Sequence, residues 1–268
     1  MSKINVSIIL PVFNGAEHLS RICDLILRQT FQNLELIIIN DGSTDSTETI
    51  AKTIQKKDAR VRVFSQVNQG VSSARNFGIA KSSGEYLIFI DDDDEVPEDY
   101  VEIMLSHAQK HQKQLIVCPL LLGDKKVAIK RPLKEPKSKI EVVLKAILTN
   151  GAIYSPCNKI YSTSIIKEKK LLFQEGIKYG EDLIFNLEYI KYVEKILPVS
   201  NTYYKYRMTK ESSSRAAAID PSFRASMYTA LKKFVKNQSN LKIKLLMFLI
   251  RTRWSASVIK NRLRRVNG

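Results

Sequence analysis

The chain has 268 residues, 44% of them hydrophobic, which suits one sizeable core, or one domain with an appendage. Three widely separated cysteines, Cys23, Cys118 and Cys157, offer neither a disulfide framework nor zinc-ligand spacing, and no apolar run reaches the roughly 18 residues of a spanning helix. The formal net charge of +16 is unevenly placed: twelve Lys or Arg and no Asp or Glu fall between Pro221 and Gly268, so the basic character belongs mostly to the C-terminal end.

The opening stretch, MSKINVSIILPVFNG, carries one lysine before a short apolar run and lacks a small-residue cleavage site. It reads as a strand rather than a signal peptide, and reduced thiols point to the cytoplasm. VSIIL (6–10) and LELIII (34–39) have strand length and composition, and between them Leu19, Ile22, Cys23 and Ile26 recur at helical spacing. The pattern continues through VRVFS (61–65), a helix from Val71 to Lys81, YLIFI (86–90), a helix from Pro97 to about His111, and LIVCP (115–119). Such alternation predicts an α/β fold: a mostly parallel sheet with helices on both faces. Beyond residue 120, GDKKVAIKRPLKEPKSK reads as an exposed loop or short hairpin. It is followed by EVVLKAILTN and GEDLIFNLEYIKYV as helices and TYYKYR as a strand. From Asp220 the pattern is helical and basic, with a break at NQSN (237–240). The expected organisation is one domain over 1–218, made of parts 1–118 and 119–218, and a basic helical extension over 219–268.

In an open α/β sheet, ligands bind beyond the carboxyl ends of the strands. Here those ends read PVFNG, NDGSTDST, SQVNQG and DDDDE, so four consecutive strands deliver acids, amides and glycines to one edge. Neither GxGxxG after the first strand nor GxxxxGK[ST] is present, which argues against nicotinamide and P-loop sites. The run Asp91–Asp94 suits a hard divalent cation shared with a diphosphate, which would offset the mutual repulsion of the carboxylates. Along an extended strand end, Asp91 and Asp93 would face one side and Asp92 and Asp94 the other. The alternative is a solvated turn in which Asp94 or Glu95 caps the next helix.

SIILPVFNG, IIINDGSTDST, NQGVSSARNFGI and FIDDDDEVP, in this order, resemble the family 2 glycosyltransferases of the GT-A fold. The likeness is close over residues 5–97 and looser to about 215, through PCNKIY, GEDLIF and YYKYR. It implies inverting transfer of a hexosyl or N-acetylhexosaminyl group from a UDP-sugar, with Mn²⁺ or Mg²⁺. Pro11, Val12, Phe13 and Asn14 would lie at the nucleotide, with Asp41 accepting the uracil imide proton, Arg75 near the nucleotide and its acidic pocket, and Asp91 and Asp92 nearby. Asp93, with Asp91, would hold the metal. Asp182 would be the general base and Glu181 its neighbour. Lys159, Arg207 and Ser213, or Ser212, would contact the diphosphate. Each has a plainer reading: core packing for Phe13, an Asx turn or helix cap for Asp41, a helix-face salt bridge for Arg75, and helix N-terminal chemistry for Glu181 and Asp182. Relatives often carry Ser where Asp92 stands, and the added charge is expected to raise a carboxylate pKa. Some relatives complete the metal shell with a C-terminal histidine, whereas this chain has only His18, His107 and His111. Asp93, phosphates and water would then suffice.

The basic tail surrounds LLMFLI (245–250), and a cationic amphipathic helix of this kind suits the headgroup layer of an anionic membrane. The expected place is the inner face of the cell membrane, with a glycan or polyprenyl-diphosphate-linked acceptor. Packing on the catalytic domain or in a homodimer is the other reading, and Trp254 suits either. A nucleotidyltransferase and a polyanion-binding protein are the rival functions. The chain shows no nucleic-acid-binding motif, and its acidic edge opposes nucleic acid there.

Overall fold

A computed structural model of the chain describes residues 5–111, 113–123, 125–129, 138–149, 152–177, 179–207, 221–237 and 240–252. The apolar runs of the first half form four parallel neighbours, β1 (Val6–Val12), β2 (Leu34–Asp41), β3 (Val61–Gln66) and β4 (Tyr86–Phe89). The crossovers are α1 (Leu19–Leu27), α2 (Thr47–Lys57) and α3 (Val71–Lys81). β1 and β2 are buried along their whole length, as strands covered on both faces are, so they read as unbroken apolar runs rather than alternating ones. α3 lies so close to β1 that a Cβ on Gly78 would sit 2.4 Å from Ile9 Cγ2. Glu35, buried at the start of β2, accepts from Ser7 Oγ, Ser83 N, Ser83 Oγ and Arg62 Nη1. Burial pushes its pKa up, but these bonds more than offset that and hold it below the ordinary range.

The second half departs from simple alternation. α4 (Tyr100–Lys110) starts three residues later than the sequence suggests, and β5 (Gln114–Val117) does not lie beside β4. The stretch after residue 120 becomes the hairpin β6 (Leu120–Leu122) and β7 (Lys125–Val127), followed by α5 (Lys139–Thr149). Then come β8 (Lys159–Ser162), α6 (Thr163–Glu168), α7 (Glu181–Ile190), β9 (Lys195–Pro198) and β10 (Tyr204–Tyr206). β8 inserts between β4 and β5, antiparallel to both, and the sheet order is β3-β2-β1-β4-β8-β5-β9. β10 joins the hairpin as a second, three-stranded sheet, β10-β6-β7. β8, α6 and β9 have no counterpart in the sequence reading, because segments of four to six residues are too short to show a period.

Where β4, β8 and α7 meet, the core is aromatic. Phe173 and Phe185 stack at 4.0 Å, and Phe89 meets both edge-on at 5.2 and 5.9 Å. The basic end forms α8 (Pro221–Phe234), which packs on α7, and α9 (residues 241–252), separated by the expected break. Lys233 approaches Glu188 of α7 at 3.9 Å and Lys242 pairs with Glu141 of α5 at 2.5 Å. Among the described residues no helix is long and apolar enough to cross a membrane.

Candidate active site

The carboxyl ends of β1 and β2 are joined by short polar bonds. Asn14, in the left-handed region at φ 51°, donates its N–H to Ser43 Oγ and accepts from Thr44 N through Oδ1, at 2.9 and 2.8 Å. Gly15 N donates to Thr47 Oγ1 at 3.0 Å. Pro11 and Val12 are buried strand residues, whereas the Phe13 ring is 50% exposed at the sheet edge. Core packing therefore does not account for Phe13. Asp41 is 3% exposed and accepts from Gln66 Nε2, Gln69 N and Gly70 N at 2.8–2.9 Å, so its carboxylate organises the loop that starts α3. A local side-chain bond in this loop is made by its neighbour, since Asn40 Oδ1 accepts from Ser43 N three residues on.

The acidic run does not extend the strand. Residues 92 and 93 form a turn in which Asp94 N donates to Asp91 O at 3.3 Å, so the expected two-sided partition is replaced by four separate environments. Asp91 Oδ1 accepts from Arg75 Nη2 at 2.9 Å, and Cys157 Sγ stands 3.5 Å from its Oδ2. Asp92 packs against Gly15, where a Cβ would come within 2.0 Å of its Oδ2. Asp93 lines a cleft of about 580 Å³ together with His18, Arg21, Lys205, Tyr206 and Arg207. Asp94 is wholly buried and accepts from Tyr204 OH at 2.6 Å and Arg207 N at 3.1 Å. Neither Asp94 nor Glu95 caps α4; Glu95 pairs instead with Lys205 at 2.7 Å and lies 3.5 and 3.7 Å from Arg207 and Arg21.

Burial first, and neighbouring carboxylates second, raise these acids. Asp92 rises to about 7, from burial first and then from Asp93 and Asp91. Asp94 rises to about 8, from burial and then from Asp91, against the lowering bond of Tyr204. Asp93 is raised by burial and by Asp91. Among the described residues no three His, Cys, Asp or Glu side chains converge on a point that would hold a metal unaided. The donor set nevertheless fits a hard divalent ion: Asp93 opens to the cleft, while Asp91 and Asp94 are engaged by protein groups.

Opposite Asp91 stands the N-terminus of α7. Gly180, at φ 99°, turns the chain into the helix, where the partial positive charge favours Glu181 and Asp182. Arg75, with its side chain 4% exposed, bridges the halves of the chain: Nη1 donates to Asp182 Oδ1 at 2.6 Å while Nη2 holds Asp91, and its Cζ lies 5.2 Å from the Phe173 ring. Burial opposes this charge, but Asp182 and Asp91 more than compensate and raise the guanidinium pKa. Asp182 itself is raised to about 7, by burial first, with Arg75 lowering it and Glu181 and Asp91 raising it. Burial likewise raises Glu181, whose Oε2 has no hydrogen-bond partner among the described residues.

Arg75 meets the acids of its pocket directly, and one expectation changes. Lys159 is 0% exposed, its ammonium donating to Asn158 Oδ1 at 2.7 Å, to Ser155 O and to Ala152 O at 3.4 Å. Burial depresses its pKa to about 7, so it braces the interior and does not present a charge to a diphosphate. Arg207, by contrast, lies at the cleft, its side chain 46% exposed. Ser212 and Ser213 lie outside the described residues. Sequence reasoning missed Tyr204, whose hydroxyl accepts from Asp91 N at 3.1 Å while donating to Asp94, and Cys157 beneath Asp91. Their signals, YYKYR and PCNKIY, drew attention to the cations instead.

The model for glycosyl transferase family 2 matches residues 7–169. The chain belongs to glycosyl transferase family 2. This family member is 32% identical over 213 residues, 77% of its length, to an uncharacterized glycosyltransferase, EpsJ, of Bacillus subtilis, and covers 62% of that relative. The chain thus spans about three-fifths of that curated relative's length. Two solved structures share its fold. One is Staphylococcus aureus TarS 1–349 in complex with UDP-GlcNAc, with a TM-score of 0.65 at 20% identity, covering 95% of this chain and 81% of that one. The other is the mannosyltransferase PcManGT of Pyrobaculum calidifontis with GDP-Man and Mn²⁺, with a TM-score of 0.66 at 13% identity, covering 93% and 69%. The expected GT-A architecture and family therefore hold.

Proposed function

We propose that this glycosyltransferase moves a sugar from a UDP-sugar to a hydroxyl of a glycan or lipid-linked glycan, with inversion and with help from Mn²⁺ or Mg²⁺. The observation that carries the reading is the Arg75 bridge, which holds an acid at the end of β4 and an acid at the start of α7 by the two ends of one guanidinium. Inverting displacement asks for such a pair of sides, one for the departing diphosphate and one for the attacking hydroxyl.

On the donor side, the exposed Phe13 ring offers a face for the base, and the loop held by Asn14 and Asp41 shapes the edge around it. A divalent ion, when bound, supplies charge to offset that of the leaving diphosphate. Asp93 would hold it, and Arg207 at the same cleft adds a cation. Asp91, fixed by Arg75, keeps lone pairs for a ribose hydroxyl, and Asp92 keeps the acidic turn closed over Gly15. On the acceptor side, Arg75 takes one oxygen of Asp182, and the second is left to accept the hydroxyl proton, with Glu181 beside it. The chain would work at the inner face of the cell membrane, attached through its basic C-terminal segment. That placement is supported by the lack of any acid in residues 221–268.

Calorimetry with UDP and Mn²⁺ tests the donor side, with GDP as the competing nucleotide. Tight metal-linked UDP binding that Asp93→Ala abolishes is the expected result; equal binding of GDP, or indifference to Mn²⁺, overturns it. Asp182→Asn should leave that binding intact and remove transfer, and undiminished transfer would take Asp182 out of the mechanism.

A further inference from the structure

The last described helix, α9, is buried on one side only. Ile243, Leu246, Met247 and Ile250 pack on the body at 0–8% exposure. On the outer side Leu241, Leu245, Phe248 and Leu249 are 81, 55, 60 and 43% exposed. Their spacing of four, three and one residues sets them in one stripe along the helix. Lys244 and Arg251 are exposed with them. Beside Phe248 a groove of about 300 Å³ between α8 and α9 has Val235 and Met247 in its floor and Lys232, Lys244 and Arg251 at its rim. Four large apolar side chains in a row, bordered by cations, form a patch that water disfavours and that carries one sign of charge.

We infer that the outer face of α9 seats on an anionic lipid bilayer, with the leucines and Phe248 in the acyl boundary and the flanking cations among headgroup phosphates. This deepens, and rests on, the membrane attachment proposed above, by naming the surface that makes it. Charge complementarity selects this occupant. A second copy of the chain would bring the same cations against themselves, because residues 221–268 contain no acid to meet them. A nucleic acid would satisfy the cations and leave an aliphatic stripe in water. A bilayer satisfies both, since the helix can lie in the interface plane with its apolar side down. The catalytic residues are tied to this surface: α8 packs on α7, and Lys242 of α9 grips Glu141 of α5. Docking would therefore fix the position of Asp182, at the head of α7, relative to the lipid plane.

The test uses the full chain and sedimentation with vesicles of phosphatidylcholine alone, or of phosphatidylcholine and phosphatidylglycerol in equal parts. Wild type should pellet only with the anionic vesicles. The variant Leu245→Ser/Phe248→Ser/Leu249→Ser should lose on the order of a hundredfold in partitioning, and Lys244→Ala/Arg251→Ala several-fold. The replaced apolar side chains are exposed, so the melting temperature and UDP–Mn²⁺ binding should stay at wild-type values. If wild type does not pellet, membrane attachment itself falls. If wild type and the serine variant pellet alike, attachment stands and this surface does not carry it. Light scattering that shows a dimer in wild type and a monomer in the serine variant, without lipid, would assign the stripe to a second copy and overturn the inference.

Discussion

Arg75 is the part of the site where a single substitution should say most. Its guanidinium makes one charge-assisted bond to Asp182 and one to Asp91, at 2.6 and 2.9 Å, and is almost wholly buried. Arg75→Lys keeps the charge but cannot span both carboxylates in a fixed fork. Losing one such bond costs about 1.5–3 kcal/mol, which, expressed in the rate, is about 10- to 150-fold. Arg75→Met leaves two acids without their cation, and removal of one partner from a buried ionic cluster costs about 3–5 kcal/mol of stability. The informative assay is the pH profile of kcat/KM for Arg75→Lys beside wild type. As the proposed base, Asp182 must be ionised to take a proton, and burial raises it to about 7, so the wild-type rate should climb with pH through neutrality and then level. Arg75 is the leading group that lowers Asp182, and weakening it should carry that limb to higher pH. An unshifted limb with a rate within about twofold of wild type would refute the coupling argued here.

The buried acids make a prediction about stability. Asp94 is raised to about 8, so between its unfolded value near 3.9 and that figure the folded chain binds protons that the unfolded chain has released. Its contribution is therefore present at low pH and lost as pH rises across that window, and thermal melts should show a shallower decline toward pH 8 in Asp94→Asn. Lys159→Met should lower the melting temperature by removing the bonds its ammonium donates to Asn158 Oδ1, Ser155 O and Ala152 O, yet leave UDP affinity unchanged; a drop in affinity with no change in melting would restore the diphosphate role. Gly78→Ala should destabilise by about 1–3 kcal/mol, since its methyl meets Ile9 and either helix or strand must shift, as urea midpoints would report.

The parallel half of the sheet was legible because β1 and β2 are buried on both faces, and their strand length and β-branched composition set these runs apart from buried helices. The edge at which the site lies followed from the same reading. The disposition of the four aspartates did not, because it is set by groups distant in the chain: Tyr204 takes Asp94, and Asp182 of the second half shares Arg75 with Asp91. Local alternation cannot express that competition. Lys159 misled for a related reason. In a basic chain a lysine beside CN and IY looks like one more surface charge, and only the folded loop shows three oxygen acceptors converging on its ammonium. Phe13 illustrates the opposite case, an aromatic ring with a free face that its strand position alone left open to two readings.

The insertion of β8 between β4 and β5 has a consequence for how the molecule is made. During vectorial synthesis β5 leaves the ribosome some forty residues ahead of β8, the strand that must flank it, and until residues 159–162 emerge the rim of β4 stands open. A nascent chain stalled in that interval presents two unzippered backbones to its neighbours, the circumstance that favours strand exchange between polypeptides. Cutting the gene after residue 118 would freeze the protein at that vulnerable stage, so the two halves of the enzyme are sequential chapters of one folding event and not modules to be traded.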